Sequence, residues 1–168
     1  KYVIIEYGIE SCYDQTLKKI NRGHDFDNVV KALELTKKYG LKTGGHMIFG
    51  LPGESIEEML AEAKILSELP LDNIKFHQLQ IVKGTKMAID YKRNPEEFSF
   101  FELDEYVDFI VRFVEQLNPK FVIERFAGEV PPRFQKGPNW GLIRNDQVLQ
   151  KIEKELEKQD TWQGKYFS

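Results

Sequence analysis

Cysteine is almost absent from the sequence: Cys12 is the only one in 168 residues, which excludes an internal disulfide framework. Long apolar runs and a basic leader followed by an apolar stretch are also lacking, so neither membrane insertion nor secretion is indicated and a cytoplasmic protein is expected. An excess of either charge is missing as well, because 24 Lys and Arg face 27 Asp and Glu. The net charge of -3 gives no overall attraction to nucleic acid or to an anionic membrane. A partner must therefore be recognised by a local surface.

The length and the hydrophobic content of 41% allow one buried core, and one domain is the default for this size. The sequence runs from Lys1 straight into the strand-like segment 2–5, with neither an initiator methionine nor a preceding turn. From this abrupt start we expect a fragment of a longer chain.

Strand-like and helix-like segments alternate along the sequence, which is typical of βα units around a parallel sheet. The strands are predicted at 2–10, 41–49, 74–82 and 121–126. The helices are predicted at 15–20, 25–39, 55–69, 103–117 and 146–158. The prolines and glycines of 127–144 argue against regular structure there, and 90–101 is predicted to be a loop. The fold class is therefore α/β.

Local signals mark several of these helix ends. Asp14 is predicted to cap the first helix, and Gly40 suits the left-handed residue that ends the second. Ser55 and Glu58 have the spacing of a capping box for the third.

Two acids and a glycine alternate on the first strand. Glu6, Gly8 and Glu10 share one face, and such residues make a poor hydrophobic layer, so a polar role inside the fold is one interpretation. The alternative is that this face simply lies toward solvent in a truncated chain.

Further candidate residues follow strand and helix ends, where ligands bind in parallel βα folds. The loop 50–55 can bring backbone amides close to a ligand, although such glycine-rich loops often only make a turn. Arg22 can bind a carboxylate through two hydrogen bonds, or be a solvated arginine. Cys12 has no activating neighbour in sequence and is expected to be buried or unreactive.

The three histidines do not have the spacing of a metal site. His24, His46 and His77 form no i, i+4 pair and have no supporting cysteines, so a protein-only zinc site is not predicted. We interpret them as three separate polar or partner-bound residues.

In combination, three motifs resemble those of radical S-adenosylmethionine (radical SAM) enzymes. They are Gly8-Ile9-Glu10, Arg22 twelve residues further on, and His-x-Ile-x-Gly-Leu-Pro-Gly-Glu at 46–54. The resemblance runs from residue 2 to about 126 and extends to the coproporphyrinogen-dehydrogenase-like and elongator-catalytic-subunit-like branches. The segment 126–133 and the Gly84-Thr85 strand ending are most similar to the YhcC-like radical SAM group.

This resemblance implies the C-terminal portion of a partial (βα)6 TIM-type barrel over residues 1–126, followed by a loop-rich extension and a helix over 127–168. It also implies roles in binding S-adenosylmethionine. Glu10 matches the residue that contacts the ribose, Arg22 matches the arginine that meets the carboxylate, and Ile48 matches the apolar residue that packs on the adenine.

Other positions match the family less closely. His46 stands where relatives often have aspartate or glycine near the ribose, and Gln80 or a neighbour is expected to line the adenine pocket. Glu6 has no counterpart and is a candidate only by its place on the first strand. Glu54 comes one residue later than the family glutamate and is interpreted as a helix-start residue.

The resemblance further implies a [4Fe-4S] cluster, a reductant protein that supplies the electron, and a 5′-deoxyadenosyl radical that abstracts hydrogen from a substrate. Relatives usually hold the cluster with Cys-x3-Cys-x2-Cys, and this chain has only Cys12. The cluster ligands are therefore expected upstream, and the fragment alone is expected to be inactive.

A local basic segment suggests a substrate. Residues 120–144 hold five basic residues against two acidic ones, with Phe126, Phe134 and Trp140 interleaved, and such a segment can bind RNA through phosphates and stacking. RNA modification, with tRNA as a possible substrate, is expected by analogy with neighbouring branches. The alternative is a surface segment that packs its aromatics on the barrel and solvates its charges.

Two other functions are left open by the sequence. Residues 127–168 could form a protein-interaction module that closes the barrel edge, or the chain could belong to a non-radical βα-barrel lyase or phosphate-binding enzyme with 50–55 as its phosphate loop. The first strand lacks a partner on one side in a truncated chain, so association through that edge is also predicted.

Overall fold

The structure, a computed structural model, describes residues 2–168. Its four strands are β1 (Ile4–Glu10), β2 (Lys42–Phe49), β3 (Asn73–Gln78) and β4 (Val122–Arg125). They form one sheet in the order β1-β2-β3-β4, and every neighbouring pair is parallel. Six α-helices accompany them in the described chain: α1 (Asp14–Lys19), α2 (Phe26–Lys38), α3 (Ile56–Ser67), α4 (Lys86–Arg93), α5 (Leu103–Val114) and α6 (Asn145–Lys158). The predicted α/β fold with a parallel sheet is confirmed.

One face of the sheet is covered by helices and holds the hydrophobic core. Phe49 of β2 and Phe76 of β3 both pack on Phe113 of α5, with ring centroids 4.8 and 5.3 Å apart. Val148 and Ile152 of α6 belong to the same buried cluster. The C-terminal helix therefore shares the core of the sheet instead of having its own.

The other face of the sheet is polar. Along β2, buried Thr43, Gly45, Met47 and Phe49 alternate with the residues of this second face, among them His46 and Ile48. In a closed barrel this is the face that turns inward, and a packed interior would be built from bulky apolar residues. The polar residues of this face do not form such a packed layer.

A β-bulge interrupts the predicted alternation at the end of β1. Gly8 lies opposite His46 of β2, but the next paired residue, Glu10, lies opposite Met47, so one residue of β1 is unpaired. Glu10 itself has a φ of 67°, in the left-handed region that non-glycine residues rarely adopt. Such features concentrate at functional sites, where they redirect a side chain.

The predicted caps are confirmed with one exception. Ser55 and Glu58 form the capping box, and Gly40 is left-handed with a φ of 69°. Asp14, however, does not cap α1: it is the first residue of that helix, and its Oδ1 accepts from the backbone nitrogen of Phe26 at 2.8 Å. The Asp14 carboxylate thus links α1 to the start of α2.

The segment after β3 differs from the prediction. The strand ends at Gln78 instead of continuing to 82, and Val82 makes an isolated antiparallel bridge with Gln135. Helix α4 was not expected, and its last four residues lie in the segment 90–101 that was predicted to be a loop. Thr85 caps this helix by accepting from the backbone nitrogen of Ala88 at 3.2 Å. Within 127–144 the only helical segment is the single 3-10 turn Pro132–Phe134. Among residues 2–168, no helix has the length and apolar character needed to cross a membrane.

Candidate functional site

Glu10 and Arg22 come together at the carboxyl end of β1. The Nη2 atom of Arg22 donates to the backbone oxygen of Gly8 at 2.7 Å and lies 3.8 Å from Oε1 of Glu10. The side chains are 31% and 19% exposed, so the pair is largely withdrawn from water. Nε of Arg22 is buried and has no hydrogen-bond partner among the described protein atoms. A guanidinium with an unused donor is suited to binding an anionic group.

The backbone around these residues explains how they meet. Asn21 and Gly23, on either side of Arg22, have φ values of 58° and 85°, so the chain reverses after α1. Gly8 leaves the space that the pair occupies: a Cβ there would overlap Oε1 of Glu10 and lie 2.7 Å from Nη2 of Arg22. Burial raises the pKa of Glu10, and the positive charge of Arg22 opposes that rise.

A second polar group runs across the same face through all four strands. His46 Nε2 lies 3.1 Å from Oε2 of Glu6, and Lys75 Nζ contacts the other oxygen of Glu6 and lies 3.1 Å from Oε2 of Glu124. The hydrogen bond from Lys75 is the main reason that the pKa of Glu6 is lowered. The same contact raises the pKa of Lys75. Both pKa shifts favour the charged forms of Glu6 and Lys75.

His46 and His77 stack on each other, with ring centroids 5.9 Å apart. In the sheet they are diagonal neighbours, because His46 pairs with Lys75 and His77 pairs with Ile48. These two histidines are therefore not separate from each other, although His46 is partner-bound through Glu6 as expected, and His24 stands apart. Burial, followed by the charge of Arg125, lowers the pKa of His77 to about 4, so its imidazole is neutral at pH 7. Its buried Nε2 has no hydrogen-bond partner in the described chain.

The two remaining candidates occupy different surroundings. Ile48 lies opposite His77 in the sheet and packs against a small apolar cluster that includes Leu79. Gln80 lines a cavity of about 260 Å³ between the end of β3 and the C-terminal segment, together with Gly128 and Trp140. The structure thus pairs Glu10 with Arg22 and Glu6 with His46. The side chains of Ile48 and Gln80 are not hydrogen-bonded to either pair.

Two buried acids next to the loop after β1 are a further feature. Glu54 accepts a hydrogen bond from the hydroxyl of Ser11, so its carboxyl group contacts the loop and does more than start a helix. Burial raises the pKa of this carboxyl group. Glu62 of α3 accepts from the backbone nitrogen of Cys12 at 2.7 Å. Cys12 is buried as predicted, and burial together with the charge of Glu62 raises the pKa of its thiol.

Several of these residues were missed in the sequence. The alternation of Asn73, Lys75 and His77 with Ile74 and Phe76 is a detectable signal for the polar face of β3. Glu62 lies on the apolar stripe of α3, which is also detectable, because a charged residue there is buried. Nothing in the local sequence indicates that Glu124 contacts Lys75.

Comparison with known families agrees with this geometry. A model of the radical SAM C-terminal domain matches residues 71–158, and a model of the radical SAM superfamily matches residues 1–66. The chain therefore belongs to the radical SAM superfamily, and the resemblance seen in the motifs is confirmed. Membership implies S-adenosylmethionine and an iron-sulfur cluster as the cofactors of the family.

Individual relatives refine the comparison. MJ0486 of Methanocaldococcus jannaschii is 37% identical over 164 residues, covering 97% of this chain and 50% of the relative. YhcC of Escherichia coli is 31% identical over 153 residues, covering 88% of this chain and 49% of the relative, which agrees with the similarity to the YhcC-like group. The chain thus spans about half the length of these curated relatives.

Two further relatives carry informative names. The tRNA uridine(34) acetyltransferase of Methanocaldococcus infernus is 30% identical over 131 residues, covering 76% of this chain and 24% of the relative. The solved structure of Elp3 from the same organism, with an N-terminal deletion, superposes with a TM-score of 0.80 at 25% identity. That match covers 96% of this chain and 37% of the Elp3 chain.

Proposed function

We propose that the protein containing this chain is a radical SAM enzyme that reductively cleaves S-adenosylmethionine and acts on RNA, with tRNA as the substrate. The observation that carries the first part is the Glu10 and Arg22 pair, which lies at a strand end on the polar face and keeps an unused guanidinium donor. S-adenosylmethionine, when bound, supplies the 5′-deoxyadenosyl radical that takes hydrogen from the substrate.

The residues of the polar face suit this cofactor. Arg22 offers its free Nε and its Nη groups to the carboxylate of the methionine moiety, and Glu10 accepts from the ribose hydroxyls. Ile48 supplies an apolar surface for the adenine, and His46 lies one strand away from Gly8 on the ribose side. Glu6 holds His46 in place through its carboxylate. Gln80 offers an amide to the adenine edge.

The described residues do not suit the [4Fe-4S] cluster. Cys12 is the only cysteine, and its thiol is buried beside Glu62 with a raised pKa, whereas a metal ligand must be a thiolate. We infer that the cluster ligands lie in protein outside these 168 residues, and that a reductant protein supplies the electron to the full-length enzyme. We expect the 168-residue chain alone to be catalytically inactive.

The proposal of an RNA substrate rests on the printed name of the tRNA uridine(34) acetyltransferase and on the basic segment 120–144. Within that segment Arg133 lies over the ring of Phe134, 4.7 Å from its centroid, and this ring is 47% exposed. The backbone nitrogen of Lys83 donates to the carbonyl of Phe134, which places a second basic residue beside them. Exposed aromatic and basic side chains together bind single-stranded nucleic acid.

An alternative for residues 127–168 is a protein-interaction module. The segment is fastened to the barrel, since Trp140 Nε1 donates to the backbone oxygen of Phe101 at 2.8 Å and Asn145 accepts from the nitrogens of Phe126 and Ala127. This attachment suits a capping role as well as an RNA-binding one. The alternative of a non-radical lyase or phosphate-binding enzyme is disfavoured by the family membership.

The enzyme proposal is tested on the full-length natural protein, reconstituted anaerobically with iron and sulfide and supplied with a strong reductant. We expect 5′-deoxyadenosine to form from S-adenosylmethionine, and Arg22→Ala to suppress it. Arg93→Ala, at an exposed arginine that ends α4, is the matched control and should behave as wild type. A fully clustered protein that yields no 5′-deoxyadenosine with or without tRNA contradicts the proposal.

The RNA proposal needs a separate measurement. Binding of unmodified tRNA is measured by filter retention with Arg133→Ala and with Lys154→Ala, an exposed lysine of α6, as control. We expect only the first variant to bind more weakly and to show a smaller salt dependence. Equal binding by both variants and wild type would count against an RNA surface in 120–144.

Association through the sheet edge is a further proposal. Within residues 2–168, β1 pairs with β2 on one side only, so its other edge presents unpaired backbone groups. We expect the 168-residue chain to show a mass by light scattering that rises with concentration. A monomeric mass at every concentration contradicts this.

A further inference from the structure

The loop that follows β1 is held by two acids, Glu54 at the end of the 46–54 motif and Glu62 of α3. Glu10 ends the strand in a left-handed conformation, and the next residue, Ser11, is fully buried. The direction of the Glu10 side chain therefore depends on how the loop 11–13 is fixed. The loop has few internal contacts of its own; one is the backbone nitrogen of Tyr13 donating to Oγ of Ser11 at 3.0 Å.

Two carboxyl groups hold this loop from outside. Oε1 of Glu62 accepts from the backbone nitrogen of Cys12 at 2.7 Å, and Oε1 of Glu54 accepts from the hydroxyl of Ser11. Glu62 is completely buried in α3. The second oxygen of each carboxyl group is also buried and has no hydrogen-bond partner in the described chain. Glu62 and Glu54, which lie 50 and 43 positions further along the sequence than the loop residues that they contact, thus define the path of the loop.

No positive charge neutralises these acids. The titratable groups that act on Glu62 are Glu54 and Cys12, and those that act on Glu54 and Tyr13 include Glu58. Lys19, which lines the same cavity as Glu54, pairs with Glu97 at 2.8 Å instead. Burial, followed by the charge of Glu54, raises the pKa of Glu62 to about 8. At pH 7 Glu62 is therefore protonated and neutral, which removes the repulsion between the two groups.

We propose that Glu62 and Glu54 form a buried positioning pair that fixes the loop after β1 and so directs the Glu10 carboxylate toward S-adenosylmethionine. Neither acid touches the cofactor; Glu54 acts through the hydroxyl of Ser11 and Glu62 through the backbone nitrogen of Cys12. This inference rests on the proposed function, because it assigns the pair a role in binding the cofactor.

The pair makes the affinity for S-adenosylmethionine depend on pH. Above pH 8 Glu62 loses its proton, two buried carboxylates then face each other, and the loop is pushed away from α3. If only the protonated form binds, the wild-type affinity at pH 9 is about tenfold below that at pH 7, since the competent fraction falls to about a tenth. Glu62→Gln keeps an acceptor for Cys12 and cannot ionise, so its affinity should lack this component.

The experiment is a titration of S-adenosylmethionine into the reconstituted full-length protein by calorimetry at pH 7, 8 and 9. The α-amino group of the cofactor also titrates in this range, but equally for both proteins, so the ratio of wild-type to Glu62→Gln affinity is the readout. We expect a ratio near one at pH 7 that falls about tenfold by pH 9.

Two more variants separate positioning from stability. Glu62→Leu leaves the Cys12 nitrogen unpaired and should lower the affinity at pH 7 at least tenfold. Leu66→Ala truncates a fully buried residue one turn further along the same helix and removes no hydrogen bond to the loop, so it destabilises the fold but should leave the affinity unchanged. If Glu62→Leu does not fold, the pH ratio of the Gln variant still decides.

The outcomes distinguish this inference from the proposed function. A wild-type protein that binds S-adenosylmethionine with a ratio that stays constant from pH 7 to 9 overturns the positioning pair and leaves the proposed function intact. A wild-type protein that binds no S-adenosylmethionine at any pH overturns both.

Discussion

Gly8→Ala isolates the contribution of the Glu10 and Arg22 pair without breaking the fold. The added Cβ would overlap Oε1 of Glu10 and lie 2.7 Å from Nη2 of Arg22, and both are the far ends of flexible side chains that can move aside. The backbone of Gly8 does not have a positive φ, so alanine is tolerated there. The free energy of unfolding should change by less than about 1 kcal/mol, because replacing a strand glycine is itself mildly favourable.

The effect on cofactor binding should be much larger. Displacing the guanidinium costs a hydrogen bond to a charged group, about 1.5 to 3 kcal/mol, which corresponds to a loss of affinity of roughly 10- to 100-fold. The affinity for S-adenosylmethionine is measured by calorimetry on the reconstituted full-length protein, and stability is measured by urea unfolding.

Gly44→Ala is the matched control for this experiment. Gly44 lies on the neighbouring strand, and a Cβ there would approach Cγ of Glu6 at 3.2 Å without reaching Glu10 or Arg22. We expect its loss of affinity for S-adenosylmethionine to be smaller than that of Gly8→Ala, because Glu6 acts only through His46 and a contact of 3.2 Å needs only a small shift of its side chain. An unchanged affinity in Gly8→Ala, or an equal loss in both variants, would refute the assignment of the pair to the cofactor.

Three further predictions concern stability and titration. Tyr106→Phe should lower the free energy of unfolding by about 1 to 2 kcal/mol in urea, because the fully buried hydroxyl donates to the Phe126 carbonyl at 2.6 Å and its loss leaves that oxygen unpaired; an unaffected midpoint contradicts this. Burial opposes ionisation of Asp72, but hydrogen bonds from lysines of α2 and β2 outweigh it and hold its pKa below the ordinary value. The stability that Asp72 contributes is thus present above pH of about 4 and lost as pH falls below it, so Asp72→Asn should flatten acid unfolding monitored by circular dichroism. The pKa of His77 is lowered from 6.5 to about 4, so the unfolded chain takes up the proton first and stability falls as pH drops through that window; the His77 ring should titrate near 4 by NMR, and a value near 6.5 would contradict its burial.

Much of the fold could be predicted because its determinants are local. The capping box at Ser55 and Glu58 and the left-handed Gly40 are set by neighbours within a few residues, and both are present as expected. Helix α4 was missed although Thr85 marks its start, because α4 is short and has no fully buried residue. A short helix without a buried stripe is hard to distinguish from a loop.

The candidate site was predicted only in part. Glu10 and Arg22 stand out through their motifs, but their contact depends on the bulge after Gly8 and on the reversal of the chain around Arg22. Whether Glu6 lies toward solvent or toward a ligand could not be decided in sequence, because strand alternation says which residues share a face and not what that face meets.

Sequence alone is sufficient for the order of the strands and of the helices other than α4, for the helix caps other than that of α1, and for the motifs of the superfamily, since periodicity and short motifs are properties of neighbouring residues. Tertiary structure decides the contact of Lys75 with Glu6, 69 residues away, and that of Glu62 with the backbone of Cys12, 50 residues away. The physical reason is register: parallel strands and the helices between them bring distant residues together only when every intervening element has packed, so neither the charged group on the polar face nor the buried acids can be located from local spacing.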